Sequence, residues 1–122
     1  CSSDLVIYGS GNSVQDQVYV KDLARVLVAA AVNPAVRYDK VYEAGTGVET
    51  TVNQIAEKIN RIANNTSGIR HIAMRPGETD HAVIIGDPST LQELEIGKLT
   101  GIDDGYAKTI AWYREYYPWH RD

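Results

Sequence analysis

The stretch from residue 51 to residue 63 is the feature that most constrains the fold. Its apolar residues recur every three or four positions, as a single stripe along an α-helix requires: Val52, Ile55, Ala56, Ile59, Ile62 and Ala63. Thr51 precedes the stripe and Gln54 follows three residues later, which is the capping-box pattern of a helix start. The sequence therefore predicts an amphipathic helix over residues 52–63 with one buried face.

Segments on both sides of this helix alternate between strand and helix patterns. Short apolar runs closed by Gly, Pro or Asn predict strands over residues 5–8, 17–20, 40–44, 69–74 and 82–85. Helical spacing predicts two more long helices, over 21–32 and from about 103 to 117, where Pro118 ends the pattern. Asp87 before Pro88 predicts the N-cap of a short helix that reaches Leu94. These elements indicate an α/β fold, a single domain over residues 1–122 in which short strands alternate with three main helices.

Composition and charge argue against two classes of binding partner, nucleic acids and membranes. The chain has 12 Lys and Arg against 16 Asp and Glu, a net charge of −4. Nucleic-acid binding needs a basic face, so we expect no nucleic-acid partner. No apolar run approaches the roughly 20 residues that span a bilayer, so we expect no membrane partner. Cys1 is the single cysteine, which excludes an internal disulfide and suits a reducing compartment. The expected location is the cytoplasm.

Four blocks of residues, in order, carry a family resemblance. The first runs from Ile7-Tyr8-Gly9-Ser10-Gly11 to Asp16, Tyr19-Val20 and Asp22, and the second is Tyr42-Glu43-Ala44-Gly45-Thr46-Gly47 before the Thr51 cap. The third is Arg75-Pro76-Gly77-Glu78 followed by Asp87-Pro88-Ser89, and the fourth is Asp104-Gly105-Tyr106 with Thr109-Ile110 and Trp112-Tyr113. Together they cover nearly the whole chain. The chain resembles the C-terminal portion of the extended short-chain dehydrogenase/reductases, the NAD-dependent sugar-nucleotide epimerases and dehydratases.

The resemblance implies a division of roles between two parts of the family's fold. In the family, an N-terminal Rossmann part holds NAD(P) through a Gly-rich turn and supplies a Tyr-x-x-x-Lys pair for acid–base chemistry. The C-terminal part binds the nucleoside diphosphate of the substrate. In this sequence the turns at Gly9 and Gly45 lack the third glycine of the dinucleotide-binding fingerprint. None of the 8 tyrosines has a lysine four residues later. We therefore expect no catalytic or cofactor-binding residue in this chain, and NAD only in an intact family member.

The resemblance also assigns substrate-binding positions. Arg75 corresponds to an arginine that contacts the substrate diphosphate, and its planar guanidinium suits phosphate oxygens. Glu78 corresponds to an acidic position that can bind ribose hydroxyls, and Tyr8 to an aromatic that packs against the base. Gln15 stands where the family has a phosphate-neutralising arginine, and Glu43 stands where an asparagine is common. Both departures predict weak or altered sugar-nucleotide binding.

Structural explanations compete with these assignments. Arg75 could belong to a surface ion pair, Glu78 could be solvated, and Tyr8 could be part of the core. Asp16 and Asp22 are expected to serve as structural hydrogen-bond acceptors or as a charge at a helix start. We expect no metal site, because the candidate ligands match no zinc or calcium spacing: His71, Glu78, Asp80 and His81.

Two functions from different classes follow. One is the nucleoside-diphosphate-sugar-binding portion of an epimerase (an isomerase) or a dehydratase (a lyase), which is not catalytically competent alone. The other is a free-standing remnant that acts as an oligomerising or protein-interaction module. The stripe of Leu23, Val26 and Leu27 and the strand at 40–44 would be uncovered in a fragment of the fold, which predicts a homo-oligomer. The sequence does not decide which sugar or base is bound, nor epimerase against dehydratase.

Overall fold

The computed structural model describes residues 4–117, which form short strands and helices in alternation. The strands are β1 Leu5–Tyr8, β2 Val14–Gln15, β3 Thr50–Thr51, β4 Ile69–Ile72 and β5 Val83–Ile84. The α-helices are α1 Val20–Val32, α2 Val52–Ala63 and α3 Ile102–Tyr116, and a 3₁₀ helix covers Pro88–Leu94. The predicted α/β class with three main helices is confirmed. Pro118, the predicted stop of the last helix, lies outside the described residues.

The strands form two small sheets. In the first, β1 and β4 run parallel, with Leu5 opposite Ile69 and Tyr8 opposite Ile72. In the second, β2 lies between β3, which is antiparallel to it, and β5, which is parallel to it. Because β1 and β4 are parallel, the loops that follow them leave from the same edge of the sheet.

Helix α2 starts as its sequence predicts. The Thr51 hydroxyl accepts a hydrogen bond from Gln54 N at 3.2 Å, and the Gln54 side chain accepts one from Thr51 N at 2.9 Å. The helix ends at Asn64, whose φ of 54° is left-handed, as a C-terminal cap often is. Local sequence therefore determines both ends of this helix. Between its ends, Lys58 connects α2 to α3 through an ion pair with Asp103 at 2.8 Å.

The apolar core lies between α1 and the 3₁₀ helix. Val26 is 5% exposed and packs with buried Leu91 and Leu94. Buried Asp22 ties α1 to the loop before α3, because its carboxylate accepts from Thr100 N at 2.6 Å. The prediction that Asp22 is a structural acceptor is confirmed. The prediction that Val26 belongs to an uncovered apolar stripe with Leu23 and Leu27 is wrong, because Val26 is part of the core.

Two predicted strands are wrong. The segment 17–20 is not a strand, since β2 ends at Gln15 and Val20 already begins α1. The segment 40–44 has no strand beside it among residues 4–117, and a side chain satisfies its backbone instead: Glu43 N donates to Thr90 Oγ1 at 2.8 Å. The strands predicted at 69–74 and 82–85 exist but are shorter. A short apolar run forms a strand only where another segment, distant in the chain, lies beside it and supplies the hydrogen bonds.

Candidate functional site at the edge of the first sheet

The loops that follow β1 and β4 meet at one edge of the first sheet. Tyr8 is the last residue of β1, and Gly9 N donates to Ile72 O, at the end of β4, at 2.8 Å. Gly9 has a φ of 75°, and a Cβ placed on it would lie 2.7 Å from the Met74 side chain. Glycine is required here because the backbone is left-handed and the two loops approach closely.

The segment Arg75-Pro76-Gly77-Glu78 forms a tight turn. Glu78 N donates to Arg75 O at 3.1 Å, which closes a four-residue turn, and Gly77 has a φ of 81°. Proline at the second position and a glycine of positive φ at the third are the signature of a type II β-turn. The turn brings the first and last side chains together. Arg75 Nε lies 2.9 Å from Glu78 Oε1, and Nη2 lies 3.0 Å from Oε2.

Tyr8 completes this group. The Arg75 guanidinium carbon lies 4.7 Å from the centre of the Tyr8 ring, which is within cation–π range. The side chains of Arg75 and Glu78 remain 58% and 44% exposed, so solvent and solutes can reach them. The structure thus brings together three of the four predicted substrate-binding residues. The contact between Arg75 and Glu78 is also a surface ion pair, which is the competing structural role that the sequence allowed for Arg75.

Asp80 joins the two loops, a role that the sequence reasoning missed. Its carboxylate accepts from Ser10 N at 3.1 Å and from Ser10 Oγ at 2.9 Å. These hydrogen bonds lower the pKa of Asp80 from its ordinary value, against a smaller opposing effect of desolvation. The sequence does show an acidic residue two positions beyond the Arg-Pro-Gly-Glu turn. It does not show the partner of that residue, because Ser10 is 70 residues away in the chain. Asp80 therefore fixes the Arg75 loop against the Tyr8 loop.

Gln15 lies in the second sheet, where β2 pairs it with Thr50 and Ile84. Its side-chain oxygen accepts from Gln17 Nε2 at 3.2 Å. Within residues 4–117, no hydrogen bond or ion pair joins it to Arg75. A role for Gln15 in binding stays a prediction.

Asp16, next in the chain, is a structural acceptor as predicted. Its carboxylate accepts from Thr46 N at 3.0 Å, Thr46 Oγ1 at 2.5 Å, Gly47 N at 2.8 Å and Gly86 N at 3.1 Å. Burial raises the pKa of Asp16, but the hydrogen bonds from Thr46, Gly47 and Gly86 together outweigh it, and the pKa is lowered. A Cβ on Gly45 would lie 2.6 Å from Asp16 Oδ2, so this glycine gives the carboxylate access to the turn.

The remaining candidates have partners of other kinds. Glu43 accepts from Asp87 N at 2.6 Å, and His71 Nε2 lies 2.8 Å from Asn53 Oδ1. Over residues 4–117, no three His, Cys, Asp or Glu side chains are grouped as ligands for a metal ion. In the same part of the chain, no helix has the length and apolar character needed to cross a membrane.

Known proteins resemble this chain over nearly its whole length. No protein-family model matches it. It is 31% identical over 124 residues to a dTDP-glucose 4,6-dehydratase of Actinoplanes sp., an alignment covering 95% of this chain and 36% of that protein. A UDP-glucose 4-epimerase of Thermotoga maritima, crystallised with UDP-glucose, has a TM-score of 0.79 at 27% identity, covering 93% of this chain and 36% of that one. A dTDP-glucose 4,6-dehydratase of Streptomyces venezuelae has a TM-score of 0.77 at 26% identity, covering 96% of this chain and 36% of that one.

These relatives confirm the family that the sequence resembles. The chain belongs to the NAD-dependent sugar-nucleotide epimerases and dehydratases of the extended short-chain dehydrogenase/reductase family. It spans 36% of the length of these relatives, which is consistent with the predicted C-terminal part.

Proposed function

We propose that this chain is the nucleoside-diphosphate-sugar-binding portion of a family member. The observation that carries the proposal is the position of Arg75 at the open edge of the first sheet, against Tyr8 and beside Glu78. Ligands of α/β folds commonly bind beyond the carboxyl ends of parallel strands, and β1 and β4 both end here.

Each of the three side chains has a role in this proposal. The Arg75 guanidinium presents N–H donors in a planar fork that suits the diphosphate oxygens. The Tyr8 ring supplies an apolar face for the base, and the Glu78 carboxylate accepts hydrogen bonds from ribose hydroxyls. The UDP-glucose carried by the Thermotoga maritima epimerase supports a ligand of this class. The sugar and the base stay open.

Catalysis is assigned elsewhere in this proposal. The sequence has neither the dinucleotide-binding fingerprint nor a Tyr-x-x-x-Lys pair, so hydride chemistry needs NAD and side chains that this chain does not supply. We therefore propose that the chain alone binds substrate without turnover, in the cytoplasm. Saturable NAD binding by this chain alone would contradict the assignment.

The direct test is a calorimetric titration with UDP-, dTDP- and GDP-sugars. We expect at least one to bind, and Arg75→Ala to weaken it about 10- to 100-fold, because losing a charged hydrogen bond costs roughly 1.5–3 kcal/mol. Arg37→Ala is the matched control, since Arg37 is 59% exposed and ion-paired with Asp39. Equal effects of the two substitutions, or no binding of any sugar nucleotide, would refute the proposal.

A second candidate function rests on helix α1. Four of its apolar side chains are at least 61% exposed: Val20, Leu27, Val28 and Val32. Val20, Leu27 and Val28 lie roughly on one face, opposite the buried Val26. We propose that a second copy of the chain covers this face, which would make the protein an oligomerising module.

Sedimentation equilibrium at micromolar concentration tests this second proposal. We expect a dimer or larger oligomer in the unmodified protein, and a shift to monomer in Leu27→Glu. Ile84→Glu is the control, because Ile84 is 67% exposed and lies on β5 in the second sheet. A compact monomer of the unmodified chain would exclude this function.

A further inference from the structure

We propose that Glu78 is a built-in competitor for Arg75, which makes the site select nucleoside diphosphates over free phosphates. The inference rests on the proposed function and names the residue that determines its selectivity. An incoming anion must take Arg75 from Glu78 or bind beside it. A ligand with hydroxyl donors can then also hydrogen-bond to the Glu78 carboxylate, which a bare phosphate cannot do.

The geometry of the ion pair is the first support. Glu78 uses both of its carboxylate oxygens on Nε and Nη2 of Arg75, at 2.9 Å and 3.0 Å. The edge formed by Nε and Nη2 is one of the two edges of a guanidinium that can form a bidentate pair with a phosphate. An inorganic phosphate is therefore left with the other edge, next to a carboxylate that repels it.

The second support is that the Arg75 side chain has a contact besides Glu78, whereas the structure of residues 4–117 gives the Glu78 side chain no partner besides Arg75. Arg75 lies against the Tyr8 ring at 4.7 Å, and the two hydrogen bonds between Asp80 and Ser10 fix its loop to the Tyr8 loop. Arg75 is the sole hydrogen-bond and ion-pair partner that the described residues offer to the Glu78 side chain. When a ligand binds, the carboxylate is consequently the group that turns away.

The third support is the local charge. Between residues 75 and 80 one positive side chain, Arg75, stands against two carboxylates, Glu78 and Asp80. An aspartate is ionised at neutral pH, and the hydrogen bonds from Ser10 lower the pKa of Asp80 further. The segment 75–80 is therefore net negative, which disfavours a bare phosphate. A nucleoside diphosphate reverses this disadvantage, because its ribose hydroxyls donate to Glu78 while its phosphates bind Arg75.

The test compares a nucleoside diphosphate with inorganic pyrophosphate on the unmodified protein and on Glu78→Gln. The nucleoside diphosphate is UDP, replaced by dTDP or GDP in every comparison if UDP does not bind. An exposed ion pair is worth little, so we expect pyrophosphate to bind roughly 2- to 5-fold more tightly to Glu78→Gln. We expect UDP to bind no more tightly, so that the preference for UDP falls by about the same factor or more. Glu57→Gln removes one charge from an exposed position on α2 and should change neither affinity.

The outcomes separate this inference from the proposed function. If UDP binds through Arg75 but Glu78→Gln leaves the preference for UDP unchanged, the competitor role is wrong and the proposed function stands. If none of UDP, dTDP and GDP binds but Glu78→Gln acquires pyrophosphate binding that Arg75→Ala removes, the proposed function and the selectivity both fail, and only the competition of Glu78 for Arg75 stands. If neither protein binds pyrophosphate or any of the three nucleoside diphosphates, the proposed function and the competitor role are both wrong.

Discussion

Asp16→Asn provides the sharpest test of how the chain is held together. The carboxylate accepts two hydrogen bonds from Thr46 on one oxygen, and one each from Gly47 N and Gly86 N on the other. An asparagine keeps one oxygen, so its NH₂ group must face either the Thr46 donors or the two glycine N–H groups. Two charge-assisted hydrogen bonds are lost, at roughly 1.5–3 kcal/mol each in full burial. Because Asp16 is only partly buried, we expect a loss of about 3 kcal/mol.

Urea unfolding measures this loss. With a slope of about 1.5 kcal/mol/M, typical of small proteins, the midpoint should fall by about 2 M at neutral pH. Asp39→Asn is the control, because Asp39 is 73% exposed in its ion pair with Arg37 and should cost less than about 1 kcal/mol.

The pH dependence of the same variant checks the mechanism. The folded-state pKa of Asp16 lies below its ordinary value of 3.8. Its stabilisation is therefore complete above the unfolded-state pKa and is lost as the pH falls through the folded-state pKa. The difference between the unmodified protein and Asp16→Asn should be constant from pH 7 to about pH 5 and shrink below pH 4. A loss under 1 kcal/mol at pH 7, or one that persists unchanged at pH 2, would refute the reasoning.

Two further substitutions test the turn and the core. Gly77→Ala should cost about 1 kcal/mol in urea unfolding and weaken sugar-nucleotide binding, because Gly77 has a φ of 81° while an added Cβ meets nothing within 4 Å. Gly101→Ala is its control, since Gly101 is equally open but has a φ of −63°, and a loss as large there would exclude backbone strain as the cause. Val26→Ala should cost about 2 kcal/mol by thermal or urea unfolding, because it removes two buried methyl groups from contact with Leu91 and Leu94. An unchanged midpoint for Val26→Ala would mean that this cluster is not the stabilising core.

The parts of the fold that depend on neighbouring residues were predictable. The capping box of Thr51 and Gln54 and the Asp87 cap occur where the sequence predicts them. The Arg75–Glu78 turn is local in the same way, since proline and glycine restrict its backbone to one shape. Each of these features is satisfied within a few residues, so its free energy is local.

The strands at 17–20 and 40–44 were mispredicted because strand formation depends on a partner segment. The apolar pattern at 40–44 is real, but the 3₁₀ helix lies beside it, and a Thr90 side chain satisfies Glu43 N. Conversely, β2 has two strand partners although it is only two residues long. A pattern of alternating side chains carries no information about which segment will lie alongside.

The sequence was sufficient for inferring the family, the α/β class, the helix ends and the candidate residues Tyr8, Arg75 and Glu78. It was not sufficient for three other features: the hydrogen bonds between Asp80 and Ser10, the place of Gln15 in the other sheet, and the burial of Val26. Each of these depends on segments that are far apart in the chain. Asp80 and Ser10 are 70 residues apart, and such contacts form only when β1 and β4 pair in register. Residue types indicate which ligands a site can bind, and the pairing of distant strands determines which of those residues lie in contact.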